Sequence, residues 1–212
     1  MSDDACPCCE RPAQPQTGES SEHDQWEIDG SVLTSELPEE VSSALGRFLG
    51  TESVTTLGGW VAAVRHHTDG HTITVEDLCV RASETAHWGE VDGEQYYFSC
   101  FYDAVILAAM RDEPVDIQTK SPNGAVIRAQ AVGTDELSVT PEKAVFSFGI
   151  DSEVPRPAAA VPRLEDGYAA ICPYVNAFHH RAAYEAWDAS VDAATVVMPL
   201  AGATELAAAL VR

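Results

Sequence analysis

Positive charge is what this sequence has least of. Lys and Arg supply 12 of its 212 residues against 34 Asp and Glu, for a formal charge of -22, and Lys120 and Lys143 are the only lysines. Binding to a phosphate backbone rests on clustered Lys and Arg, so a nucleic-acid partner is not expected. The acid is spread along the chain rather than gathered in one tail, a pattern that keeps proteins soluble at high salt. The expectation is a halophilic protein. Long apolar runs are also missing. None approaches the roughly 20 residues needed to cross a bilayer, so no membrane partner is expected either. The stretch Met1 to Cys6 is acidic, with no basic region leading into an apolar one, so it does not read as a secretory signal. The expected location is cytoplasmic.

Aliphatic residues are nearly absent from residues 1–30, which are rich in Ser, Glu, Gln, Asp and Pro. This composition reads as a disordered acidic tail. Its exception is Cys6, Pro7, Cys8 and Cys9. Three close thiols at a flexible end can catch a soft ion such as Cu(I), Zn(II) or Hg(II). They lack the second Cys or His pair of a closed zinc site unless His23 joins them, so half of a metal knuckle or an inessential tail are the plainer readings. The other cysteines are Cys79, Cys100 and Cys172, making six. Adjacent Cys8 and Cys9 can hardly pair without strain. Reduced thiols serving metal or catalysis fit a cytoplasmic chain better than a disulfide framework does.

What is present has the size and 45% hydrophobic content of one ordinary globular domain with a small appendage. Pro38, Glu39 and Glu40 suit the first turn of a helix, and Val41, Leu45, Phe48 and Leu49 follow at helical spacing until Gly50. A second helix is predicted from Val54 to His67, with Leu57, Trp60, Val61 and Val64 on one face. His66, His67 and His71 read as a solvated helix end rather than a metal site. Thr72 to Val75 reads as a short strand, and two helices with a strand resemble a reduced winged-helix element. Strands are predicted over Thr85–Val91 and Gln95–Ser99 around an Asp92-Gly93 turn. His87 reads as an ordinary strand residue. An all-β stretch is predicted across 115–149, with Pro122, Asn123 and Gly124 as a turn. A strand Gly167–Val175 carrying Cys172, a helix Arg181–Ser190, a strand Thr195–Leu200 and a closing helix Ala201–Val211 complete the expectation. The fold class is therefore α+β. Its parts are the tail (1–30), a helical winged-helix-like region (31–79) and a mixed sheet-and-helix domain (80–212).

The most informative stretch runs from Glu90 to Met110. It passes from the turn at Asp92 and Gly93 through Tyr96, Tyr97 and Phe98 to Cys100 and Asp103, then into an apolar helix predicted over 100–112 and ended by Pro114. A spacing of three places Cys100 and Asp103 on one helix face. Taken alone, a buried Cys is usually a small hydrophobe, and an Asp in a first helical turn usually serves the dipole. Together they form a soft-metal ligand beside a proton carrier.

This stretch resembles the core motif of organomercurial lyases (alkylmercury lyases), in which an acidic strand and turn lead to a Cys-x-x-Asp at the head of a helix. Ser83, Glu84 and Thr85 fit the family's strand entry. The hairpin at Asn123, Gly124 and Ala125 and a later Cys172 followed by aromatics and a helix with Trp187 also fit, so the resemblance covers about residues 80–212. It implies that Cys100 and Cys172 are the catalytic thiols and Asp103 the acid, with the same three residues around the Hg(II) product. It also implies an α+β fold of the organomercurial-lyase type, no required cofactor, an external low-molecular-weight thiol as acceptor, and a role in mercury detoxification. With the charge pattern, it points to a haloarchaeal member. There are departures. Pro173 follows Cys172 where some members have another Cys, and a further family Cys, usually regarded as structural, is replaced near Lys120. Cys79 has no family counterpart and reads as structural.

The chemistry of the residues agrees with the resemblance. Thiolates bind soft metals tightly, and two of them on one mercury push electron density onto its carbon. A carboxylic acid within reach can then protonate that carbon. Tyr96, Tyr97, Phe98, Phe101, Tyr102, Tyr174 and Phe178 are candidates for walls of an organic pocket, though most are equally good core residues. The competing reading is a soft-metal (Hg, Cu or Zn) binding or transfer protein on the same scaffold, motivated by Cys6, Cys8 and Cys9. Such a tail can also pass Hg(II) to a mercuric reductase. A transcriptional regulator is a third reading, disfavoured by the charge.

Overall fold

The computed structural model describes residues 26, 28–67, 73–156, 162 and 164–211. The Cys6-Cys8-Cys9 cluster, His23 and His71 lie outside the described residues. Helix α1 (Glu39–Leu49) starts at Pro38 with two acidic residues in its first turn, and it ends at Gly50 in the left-handed region, φ 73°. Acid at the start and Arg47 in the last turn both complement the helix dipole. Helix α2 (Leu57–His67) follows, slightly shorter than expected at its start.

The strand expected over Thr72–Val75 is not formed by its described residues 73–75. Val75–Asp77 instead make a 3-10 turn. Asp77 causes the difference: its carboxylate accepts from both the backbone N–H and the hydroxyl of Thr74, at 2.9 and 2.8 Å. Local side-chain bonding of this kind competes with a strand ladder.

The main sheet has six antiparallel strands, in the order β1-β3-β2-β4-β5-β6. They are β1 (Val80–Arg81), β2 (His87–Val91), β3 (Glu94–Phe98), β4 (Pro114–Lys120), β5 (Val126–Val132) and β6 (Glu136–Thr140). Asp92 and Gly93 both take positive φ, 53° and 78°, as a tight hairpin turn requires. Val115, Ile117, Thr119, Ile127 and Ala131 are buried on one face, whereas Asp116, Lys120, Arg128 and Gln130 are exposed on the other. The sheet is thus covered on one side only.

Helix α3 (Tyr102–Ala109) provides that cover, packing on β2, β4 and β5. Every residue from Tyr102 to Ala108 is buried. The approach is close because Gly89 lies beneath: a Cβ there would sit 3.3 Å from the Ala104 Cβ and from a Val115 methyl. The helix stops at Ala109 rather than at Pro114. Met110 N–H bonds to both Ile106 and Leu107 carbonyls, which tightens the last turn, and Pro114 opens β4.

A second sheet, β8-β7-β9, joins β7 (Val145–Asp151), β8 (Ala177–Phe178) and β9 (Ala193–Pro199). Helix α1 packs on β7 and β9, and helix α5 (Arg181–Asp188) also packs on this sheet, where Tyr184 and Trp187 meet Phe178. Helix α6 (Ala203–Val211) runs against α3 and α2. Stacking of Tyr102 on Phe146, ring centroids 5.6 Å apart, ties α3 to β7.

The strand expected over Gly167–Val175 is the largest correction. Residues Leu164–Ala170 form helix α4, and Cys172–Tyr174 form a 3-10 turn. Ile171 N–H bonds to the Gly167 carbonyl and Tyr174 N–H to the Ile171 carbonyl. Pro173 has no N–H for a ladder, and its fixed φ suits the start of a turn. No helix is long and apolar enough to cross a membrane among the described residues.

Candidate active site

Cys100 sits in the short turn between β3 and α3, 5% exposed. Asp103 lies in the first turn of α3 and is 7% exposed. The Cys100 thiol donates to Asp103 Oδ2 across 3.9 Å. The expected pairing of thiol and carboxyl is therefore present, although Cys100 precedes the helix rather than lying within it.

Burial is the main influence on Asp103. It raises the carboxyl from 3.8 to about 7, against hydrogen bonds from the Cys79 backbone N–H and the Cys100 thiol that favour the charged form. A carboxyl near 7 can both take and give a proton at neutral pH.

Cys172 reaches the same place from the other side, on the 3-10 turn after α4. It lines the same cavity as Cys100 and Asp103. The neighbouring Cys100 and Cys79 thiols, Cys100 first, push its ionisation up, and burial adds to them. The structure thus brings Cys100, Asp103 and Cys172 together. It adds a fourth group that sequence reasoning took as merely structural. Cys79 is half-buried, follows the Val75–Asp77 turn, and uses its N–H on Asp103 and its carbonyl on Ser99 N–H, 3.1 Å. Tyr168, on α4, donates its hydroxyl to the Asp77 carbonyl and so pins this loop to the helix before Cys172. Burial pushes the Tyr168 hydroxyl up, and the neighbouring Cys79, Asp103, Asp77 and Cys172 add to the effect.

Cys100, Asp103 and Cys172 open onto a cavity of about 470 Å³ with a mainly apolar lining. Of the seven aromatics expected to wall it, only Tyr102 does so. Phe98 and Phe101 are core residues, and Phe178 belongs to the cluster with Tyr184 and Trp187. The aromatic wall comes instead from Phe48 on α1, Trp60 on α2, Phe146 and Phe148 on β7, and Tyr168. Phe146 and Phe148 alternate along one strand, and Phe48 and Trp60 lie on apolar helix faces. Those patterns were readable as burial, but not as convergence on one cavity.

His87 lies on β2, as expected, with its Nδ1 2.7 Å from Thr119 Oγ1, and burial lowers its pKa. His66 is exposed near the end of α2. Among the described residues, no three His, Cys, Asp or Glu side chains are arranged to hold one metal ion together.

A family model for alkylmercury lyases (MerB) matches residues 81–212, well over half of the chain. The chain belongs to the alkylmercury lyase family. The matched segment includes Cys100, Asp103 and Cys172 and begins just after Cys79. No curated protein matches the chain. Among solved structures, the mercury-bound form of MerB2 matches with a TM-score of 0.46 and 14% identity, over 82% of this chain and 91% of that one. That likeness is too slight to carry an argument. Lyase chemistry on carbon–mercury bonds is thus a property of the family, whereas the residue roles rest on the local geometry.

Proposed function

We propose that this protein cleaves carbon–mercury bonds by protonolysis, releasing a hydrocarbon and Hg(II). The observation that carries the reading is the buried Asp103 carboxyl, poised near neutrality and in contact with the Cys100 thiol, with the Cys172 thiol beside them at the mouth of an apolar cavity. The organomercurial R–Hg⁺ first binds one thiol as thiolate, and that proton passes to Asp103. Binding of the second sulfur, whose proton is released to solvent, gives a two-thiolate mercury with added electron density on carbon. Asp103–H then protonates that carbon, the Hg–C bond breaks, and R–H leaves. Hg(II) remains on the two sulfurs until an external thiol removes it. Two thiols without the acid would only hold the metal, so Asp103 is what makes the site a lyase. The apolar cavity holds R and keeps water from the acid.

On this reading residues 80–212 carry the chemistry, the helical region 31–79 supplies part of the cavity wall through Phe48 and Trp60, and the Cys6–Cys9 tail is accessory. The test is to incubate purified protein with phenylmercury and excess thiol and to measure benzene. The expected result is catalytic benzene release that Cys100→Ser or Cys172→Ser abolishes. Full turnover by either variant would overturn the mechanism. Saturable mercury binding with no benzene would place the protein in the soft-metal transfer class.

A further inference from the structure

We propose that the wall which α1 and α2 lend to the cavity is a second compartment of the site, selecting organomercurials whose organic group carries two linked or fused aromatic rings, with Trp60 as the residue that sets this preference. The inference deepens the lyase reading and rests on it for the mercury half of the substrate. Phe48 and Trp60 precede the segment that matches the family, so the family pattern does not assign them. The wall has no chemistry of its own. Helices α1 and α2 offer the cavity Phe48, Leu49, Trp60 and Val64, whereas Asp77, Cys100, Asp103, Tyr168 and Cys172 all come from later in the chain. A wall without acid, base or metal ligand acts only on the organic group. Its one polar side-chain atom, Trp60 Nε1, is enclosed and has no hydrogen-bond partner among the described residues. An enclosed, unpaired donor costs stability that a Phe would avoid, so the fold alone does not call for an indole. A broad ring face toward an aromatic guest does.

Size sets the guest. An apolar space of about 150 Å³ is enough for one benzene, and this cavity, at about 470 Å³, is roughly three times larger. A methyl group would leave it nearly empty. Shape agrees with size. Phe146 and Phe148 both line the cavity from β7, while Ser147 between them donates its hydroxyl to the Tyr174 carbonyl, 2.8 Å away. At a strand rise of about 3.4 Å per residue, the two rings are spaced about 7 Å along β7. Phe146 stacks on Tyr102, ring centroids 5.6 Å apart, and Phe148 meets Trp60 edge-on, centroids 5.0 Å apart and planes at 65°. The cavity is therefore bounded by two aromatic pairs, with room for a guest ring beside each.

The test compares biphenylylmercury with phenylmercury, whose carbon–mercury bonds are alike in kind. In the unmodified protein KM for the two-ring substrate should be on the order of 10-fold lower, with kcat little altered. In Trp60→Ala that preference should be lost, KM for biphenylylmercury rising to about that for phenylmercury. Trp60→Phe, which keeps a ring, should retain most of it. An unmodified protein that treats the two substrates alike, or a fall in kcat/KM that Trp60→Ala shows equally for both, would overturn the proposal. A second arm is free of mercury and so of cleavage. Naphthalene is titrated into the full-length protein and followed by saturation-transfer NMR. It should bind the unmodified protein and Trp60→Phe, and bind Trp60→Ala on the order of 10-fold more weakly. Failure to bind the unmodified protein would also overturn the proposal, whether or not Trp60→Ala folds. Naphthalene binding as expected, with no hydrocarbon released from either mercurial, would sink the lyase reading and leave the aromatic compartment standing.

Discussion

The two walls of the site are built from different materials. The inner wall is Cys100, in the turn just before α3, and Asp103, on α3 itself, a helix buried from Tyr102 to Ala108 that lies on a glycine of the six-stranded sheet. The outer wall is Cys79, Tyr168 and Cys172, carried by two 3-10 turns and the short helix α4. The inner wall excludes water and tunes an acid. The outer wall keeps two thiols half-open and is held by a few hydrogen bonds. The proton therefore belongs to the inner wall, whereas the outer wall lends the second thiol, Cys172, from a more exposed position. Each variant below separates the two.

The largest expected effect is on turnover at the inner wall. Cys100→Ser should leave no measurable hydrocarbon release in a steady-state assay with phenylmercury. Asp103→Asn should come next, keeping stoichiometric mercury binding but slowing cleavage by about 10²- to 10⁴-fold, the usual worth of a positioned general acid. An Asp103→Asn enzyme that released benzene at full rate would move the acid elsewhere.

Asp103 also has a stability signature. Its folded value of about 7 lies above its ordinary 3.8, so the unfolded chain ionises more readily. Below about pH 4 both states hold the proton and the carboxyl costs nothing. From pH 4 to 7 the cost grows at about 1.36 kcal/mol per pH unit, and above 7 it levels off at roughly 4 kcal/mol. The melting temperature of Asp103→Asn relative to the unmodified protein should therefore rise across that window and then stay flat. A difference independent of pH would mean that the carboxyl is not held up by burial.

Gly89→Ala tests how the inner wall is supported. The added methyl meets Ala104 and Val115 at 3.3 Å, tighter than ordinary contact, so α3 must shift or the sheet must give. A cost of about 1–3 kcal/mol in urea unfolding is expected, with cleavage slowed because Asp103 moves with the helix. Unaltered stability and activity would show that α3 is less tightly seated than the contacts imply.

The inner wall was the legible one. Cys100 and Asp103 lie in a stretch whose strand, turn and apolar helix each follow from local pattern, and the hairpin turn at Asp92 and Gly93 fixes the register ahead of them. The outer wall was not legible. Residues 167–175 look like a strand because Tyr168, Ile171 and Val175 suit one, but the hydrogen bonds of Ile171 and Tyr174 close helical and 3-10 turns around Pro173. Cys79 gave no local sign of its place beside the site, because its backbone partners, Ser99 and Asp103, are distant in sequence. The cavity wall was missed for the same reason. Phe48, Trp60 and Phe148 come from three elements that only the tertiary fold brings together.

The smallest expected effect is at the outer wall. Tyr168→Phe removes the hydroxyl that donates to the Asp77 carbonyl and leaves the ring against the cavity. The bond is partly exposed, so its loss should cost only about 0.5–1.5 kcal/mol. What it should change is the loop bearing Cys79. Amide exchange across residues 77–81 should quicken, while exchange in α3 stays as it was, because nothing in the α3 seating on β2, β4 and β5 involves that hydroxyl. Cleavage in a single turnover should stay within about threefold, the kinetic equivalent of under 1 kcal/mol. If α3 and the Cys79 loop loosened together, the two walls would be one cooperative unit, and the division of labour between them would have to be abandoned.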